Sequence, residues 1–194
     1  MQQEEIKNVP ATLGDSVNAL STFAGIDQFG IIGGLGPLIM RGAIPLSNRF
    51  YIDRIPVNTI QHFGALHSVV NNDIIDKIDV YSSNAPSKFG NSVLGGIAEI
   101  QTVDSVKKFG AHIEIGLLSS NASIASPILT DGKNPDSSIG YWLVAGRYGY
   151  LSAFLPPILE ALGTKGPLPQ YYDYQSKGKF YLNKYNSVSV MALG

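Results

Sequence analysis

From Met40 to Thr102 the chain strings together five short blocks whose order and spacing are hard to obtain by chance. They are Arg41-Gly42, Tyr51-Ile-Asp-Arg-Ile-Pro-Val57, Asp73-Ile-Ile-Asp-Lys-Ile-Asp-Val-Tyr81, Lys88-Phe-Gly90 and Leu94-Gly-Gly-Ile-Ala-Glu-Ile100. Leu38-Ile-Met40 and Arg49 to Arg54 are expected to be short strands. In Ser68–Lys77 a serine-capped helical turn is expected to feed a strand carrying Ile78 and Val80. Asn84 to Asn91 is turn chemistry, and Gly95-Gly96 permits a tight backbone approach before Ile97 to Gln101 alternate. Upstream, Asp15 is placed to cap a short helix with Val17, Leu20 and Ala24 on one face and Gly25 at its end. Residues 1–105 therefore read as one small α+β unit.

Only 15% of the 194 residues are charged, against 21 glycines and 10 tyrosines, a balance that favours short strands and turns over charge-rich helices. The net charge of −1 and scattered basic residues leave no footprint for nucleic acid. With no cysteine, disulfides, thiolate metal sites and cysteine nucleophiles are excluded. Met1 to Lys7 is polar and acidic where a signal peptide needs a basic start and an apolar run of roughly 7–15 residues, so no export signal is expected here. No stretch approaches the roughly 20 consecutive apolar residues of a membrane helix, which leaves strands or interfacial contact for any membrane association.

After Lys107-Lys108 longer alternating segments take over. In Tyr171 to Leu182, Asp173, Gln175, Lys177 and Lys179 hold one parity, and Tyr172, Tyr174, Phe180 and Leu182 hold the other. In Ile139–Tyr150, Trp142, Val144 and Tyr148 oppose Arg147. Val188, Val190 and Ala192 share a parity in Ser187–Leu193, as do Ile113, Ile115 and Leu117 further upstream. Segments of about 10 residues with this alternation and aromatic ends suit a transmembrane β-barrel, and a half-buried soluble sheet gives the same pattern. Pro156 to Gly163 reads as a proline-started, glycine-stopped helical turn within a long connection.

The five blocks together resemble the plug of a TonB-dependent outer-membrane receptor. Val9-Pro-Ala-Thr-Leu-Gly-Asp15, His62-Phe-Gly64 and Tyr172-Asp-Tyr-Gln175 add to the likeness. The resemblance implies a small mixed sheet with short helices over residues 1–105, followed in 106–194 by about four antiparallel strands of an incomplete transmembrane β-barrel. It implies no catalysis and no cofactor. The parent receptor would import scarce nutrients, such as iron-siderophore complexes, across the outer membrane with energy relayed by TonB. Its partners would be TonB, a small-molecule nutrient or metal chelate, and outer-membrane lipid. Carried over by motif, Ser47, Asn48, Gln61, His62 and Phe63 would face ligand from plug loops. Arg41, Gly42, Asp53, Gly90, Gly95 and Gly96 would be structural plug positions.

Three departures from the family pattern qualify this. Arg54 stands where the family has glycine, and arginine is expected to keep that position out of the left-handed backbone region. Ser82 to Pro86 replaces an arginine-glycine-proline run, leaving Arg41 for pairing with barrel carboxylates. About 22 strands are needed to close around a plug, so the expectation is an N-terminal piece that transports nothing alone. Other chemistry reads weakly. His62, His67 and Asp73 match no compact metal spacing. Asp73, Asp76 and Asp79 read as a solvated face, and Gly33-Gly34-x-Gly36 is followed by Pro37 with no lysine placed for a phosphate. Ser120 and Ser126 lack the setting of a nucleophile elbow. The alternative from another class is a soluble β-rich module with an aromatic binding surface, which would have to cover the apolar parity of Tyr171–Leu182 with a second layer.

Overall fold

Short β-branched runs ended by turns give the first half of the chain its strands: β1 (Ile26–Gln28), β2 (Leu38–Met40), β3 (Arg49–Ile52), β4 (Ile55–Val57), β5 (Ile75–Tyr81) and β6 (Ile97–Thr102). The computed structural model describes residues 15–28, 36–62, 67–82, 85–90, 93–116, 119–130, 138–150 and 170–194, together with 152, 156, 157 and 160. Phe63, Gly33-Gly34, Val9 to Gly14, Ser83-Asn84 and most of Pro156 to Gly163 lie outside the described residues. The chain divides into two units, Met1–Val103 and Asp104–Gly194.

In the first unit β1 pairs with β2, and a separate mixed sheet has the order β4-β3-β6-β5. There β3 runs parallel to β6, and the β3–β4 and β5–β6 pairs are antiparallel. Ile52, Ile78 and Ile100 sit side by side in register and are at most 1% exposed, each contributing about 1.5–3 kcal/mol by burial. Across the sheet, Tyr51, Phe89 and Ile97 cluster, with the Tyr51 and Phe89 rings 4.7 Å apart. Glu99 is buried on β6, and its Oε2 accepts from Lys88 Nζ at 2.7 Å. The ion pair satisfies a carboxylate that would be costly to bury alone.

The β3–β4 hairpin overturns one expectation. Asp53 and Arg54 both have positive φ, 47° and 72°. Two such residues between Ile52 and Ile55, which pair directly, make the two-residue turn whose twist matches the flanking strands. Arg54 therefore does adopt the left-handed conformation. Asp53 holds it there: its amide donates to Ile100 O at 2.9 Å, and its carboxylate accepts from the Thr102 amide at 2.8 Å and from the Thr102 hydroxyl. The helical turn before β5 differs too. It is a single 3-10 turn, Asn72–Ile74, capped by Asn71, whose side chain accepts from the Asp73 amide. Ser68 cannot serve as that cap because both its amide and its hydroxyl donate to Asp15.

The second unit is one antiparallel sheet in sequence order: β7 (Gly110–Ile115), β8 (Ser119–Leu129), β9 (Ser138–Gly149), β10 (Tyr171–Tyr181) and β11 (Ser187–Leu193). On β9 and β10 charged side chains share the buried face with Tyr141, Leu143 and Ala145, and large apolar side chains are exposed. Asp173, Gln175 and Lys177 on β10 and Arg147 on β9 are no more than 5% exposed, while Trp142, Val144, Tyr148, Tyr172, Tyr174 and Phe180 are exposed. Asp173 stands opposite Arg147 on the buried face, and Tyr172 opposite Tyr148 on the exposed face. Lys179 Nζ meets Asp104 at 2.6 Å.

Because Arg54 carries a left-handed strain that glycine avoids, Arg54→Gly is expected to stabilise the chain by roughly 0.5–1 kcal/mol. A urea midpoint unchanged or lowered in the variant would show that the turn costs nothing.

Candidate functional site

The first unit carries an open concavity of about 320 Å³ whose floor includes Leu38, Phe50 and Ile60, all buried. Its polar lining is Asn48, Asn58, Thr59, Gln61 and His62. Three of the residues expected to face ligand, Asn48, Gln61 and His62, thus lie along one hollow. Ser47 adjoins it, with its carbonyl accepting from the Gly95 amide at 3.3 Å.

Two sets of contacts hold these walls. A single antiparallel bridge joins Gln61 to Ser68. Beside it, the His62 amide donates to His67 O at 2.7 Å and the Val69 amide to Ile60 O at 2.8 Å. Ser68 is in turn bound by the buried Asp15: Oδ2 accepts from the Ser68 amide at 2.7 Å and its hydroxyl at 2.9 Å. Asp15 Oδ1 accepts from the amides of Val17 and Asn18, at 2.9 and 3.1 Å, at the start of the 3-10 turn Asn18–Thr22. His67 Nδ1 lies 3.6 Å from the same carboxylate. Asp15 therefore caps its turn, as its position before Val17 predicts, and also ties that turn to the opposite side of the hollow. The second half of that role leaves no local signal, because Ser68 is 53 residues away.

Asn48 has both ends of its amide engaged. Nδ2 donates to Leu38 O at 2.8 Å and Oδ1 accepts from the Gly96 amide at 3.2 Å, so it clamps β2 against the Gly95-Gly96 turn. A Cβ on Gly95 would collide with Asn48 Oδ1, and one on Gly96 with the Met40 side chain. Gln61 Nε2 donates to Asn18 Oδ1 at 2.9 Å, and that oxygen also accepts from Gln28 Nε2 at 2.9 Å. Arg41, Gly42 and Gly90 all sit at positive φ. In the Arg41-Gly42 turn the Ala43 amide donates to Met40 O at 3.1 Å, and the Arg41 side chain is exposed.

Asp76 is exposed, while Asp79 pairs with Lys77 at 2.9 Å and accepts from Gln101. Among the described residues no three His, Asp or Glu side chains are placed to hold a metal ion.

Residues 1–97 match the family model described as TonB-dependent Receptor Plug Domain. Among solved structures, the chain is similar over its whole length to the siderophore receptor PirA from Acinetobacter baumannii, with 13% identity and a TM-score of 0.66, covering 30% of that chain. It is similar in the same way to a mutant of the ferric enterobactin receptor PfeA from Pseudomonas aeruginosa, with 14% identity, a TM-score of 0.59 and 31% of that chain covered. The chain thus spans about a third of the length of either. No curated protein sequence matches it.

Asp15→Ala strips acceptors from four donors and is expected to cost about 3 kcal/mol, with faster hydrogen exchange at the Ser68 amide. Gly95→Ala, which must displace the Asn48 clamp, is expected to cost about 2–3 kcal/mol. Unfolding midpoints equal to that of the parent chain would remove either contact from the account.

Proposed function

The chain belongs to the TonB-dependent receptor plug domain family, and from that premise we propose that it forms the plug and first barrel strands of an outer-membrane nutrient importer. In this reading residues 1–105 are the plug and 106–194 the incomplete N-terminal part of the barrel. The receptor takes up a small chelate such as an iron-siderophore complex, and TonB supplies the energy. The hollow bearing Gln61 and His62, with Ser47 and Phe63 beside it in sequence, faces that ligand, and Asn48 braces it from within.

The observation that carries this reading is the burial pattern of β9 and β10 in the sheet that follows the plug. In water, exposing Tyr172, Tyr174, Trp142 and Val144 while burying Arg147, Asp173 and Lys177 reverses the usual preference. In a bilayer it is the expected arrangement. Tyr172 and Phe180, both exposed, lie eight residues apart on β10. That is about 27 Å along the strand, or about 20 Å across a membrane at the usual tilt. A soluble module would need a second layer over these side chains, and they are open. The connections 116–118 and 150–170 fall at one end of the sheet, and 130–137 and 182–186 at the other. The long connection marks the extracellular end.

Trp142 is the sole tryptophan and is 39% exposed on β9. With the chain reconstituted in vesicles, brominated acyl chains are expected to quench its emission strongly, whereas an aqueous quencher should act weakly; the reverse order would remove the sheet from lipid. In iron-starved cells carrying the parent receptor, uptake of radioactive ferric chelate is expected to fall to background when TonB is disrupted. Uptake that persists without TonB would reject the coupling.

A further inference from the structure

The loops that build the hollow carry no fixed charge. Residues 36–40, 42–48 and 55–62, which carry all of its described lining except Phe50, contain no Lys, Arg, Asp or Glu, in a chain that has 14 basic and 15 acidic residues. Between Asp27 and Asp73 the cations are Arg41, Arg49 and Arg54, and none of them lines the hollow. Arg49 falls between the lining residues Asn48 and Phe50, so strand alternation sends it to the opposite face. Arg41 and Arg54 sit in turns. The rim adds Pro37, Pro45 and Leu46, the last 94% exposed.

Resting on the proposed receptor function, we infer that the plug of this chain selects an uncharged chelate, of the neutral ferric tris-hydroxamate type, and disfavours multiply anionic ones. Recognition of concentrated oxyanion charge calls for Arg or Lys forks aimed at the ligand. A trianion brought over this floor would shed water against Leu38, Phe50 and Ile60 with no cation among the described lining residues to replace it. A neutral chelate wrapped in amide and methylene groups loses little on the same surface. It finds hydrogen-bonding side chains at Asn58, Thr59 and His62. His62 is the one described lining side chain that can ionise.

The test is equilibrium binding of two probes of similar size, a neutral ferric tris-hydroxamate and a trianionic ferric tris-catecholate, to the full chain in lipid nanodiscs at low and high salt. The neutral probe is expected to bind at least tenfold tighter, with no salt dependence, and the preference should persist in His62→Gln. Leu46→Lys and Thr59→Lys, both exposed rim or wall positions, are expected to shift the preference roughly tenfold toward the trianion. Tighter, salt-dependent binding of the trianion to the parent chain would overturn the selectivity and leave the chelate-receptor reading standing. Absence of saturable binding by either probe would sink the ligand role of the hollow itself, and the selectivity with it.

Discussion

Everything around the hollow of the plug hangs from one buried carboxylate. Asp15 is 1% exposed and accepts from Val17, Asn18 and, twice, Ser68. Each donor is itself a group that would be costly to bury unpaired, so the cluster is all-or-none in character. Through Ser68 it fixes the strip 67–69, and through that strip the backbone of Ile60 and His62. Through the turn it starts, it fixes Asn18, which holds the amides of Gln28 and Gln61. Ser16 adds a parallel tie, its amide and hydroxyl both donating to Asn72 Oδ1. The hollow thus has walls made of loops but a position set by a rigid polar knot, which is what a binding surface on irregular backbone requires.

The two units obey opposite solvation rules. In the first, isoleucines fill the sheet interior and the acid buried on β6, Glu99, is met by Lys88. In the second, Arg147, Asp173, Gln175 and Lys177 share the buried parity with Tyr141, Leu143 and Ala145, while Trp142, Tyr148, Tyr172 and Tyr174 hold the exposed one. No single solvent satisfies both, because a sheet in water that buries Asp173 and Lys177 while exposing Tyr172 and Tyr174 gives up hydration and apolar burial together. In the proposed receptor a lipid boundary on one side and a polar interior on the other would remove that conflict. The pattern is continuous across β9 and β10, whose registers hold ten successive pairs without a shift, so each strand reinforces the face its neighbour presents.

Much of this was legible because period-two alternation is strong where side chains are large. Tyr171–Leu182, Ile139–Tyr150, Ser187–Leu193 and Ile113–Leu117 overlap β10, β9, β11 and β7. Strand β8 was missed, since Ser119–Leu129 is mostly serine, alanine and asparagine and gives small residues no side to favour. The Arg54 turn was misread because backbone preference alone forbids arginine at φ 72°, whereas Asp53 and Thr102, 49 residues apart, supply the hydrogen bonds that override it. The same distance effect hid the knot: a capping aspartate looks local, and its binding to Ser68 is visible only in three dimensions. Motif resemblance led to Asn48, Gln61 and His62, yet no sequence pattern disclosed that Asn48 has both ends of its amide committed to the Gly95-Gly96 clamp.

That commitment changes what kind of specificity a plug of this design can have. Asn48 and Gln61 would be the natural hydrogen-bonding readers of a ligand, but the first spends its amide on Leu38 and Gly96 and the second its NH₂ on Asn18. Side chains already used to hold the fold are rigid, and they have little left to offer a guest. Discrimination then falls to shape and to what the lining withholds. A surface that lacks compensating charge rejects a polyanion through the hydration it cannot replace, while accepting neutral molecules of many outlines. In the proposed receptor such a surface would sort ligands by class before any barrel loop distinguished among them. It would do so with residues whose first duty is structural, so mutating them confounds binding with folding. Leu46, exposed and free of that duty, is where chemistry on this surface can change without disturbing what holds it up.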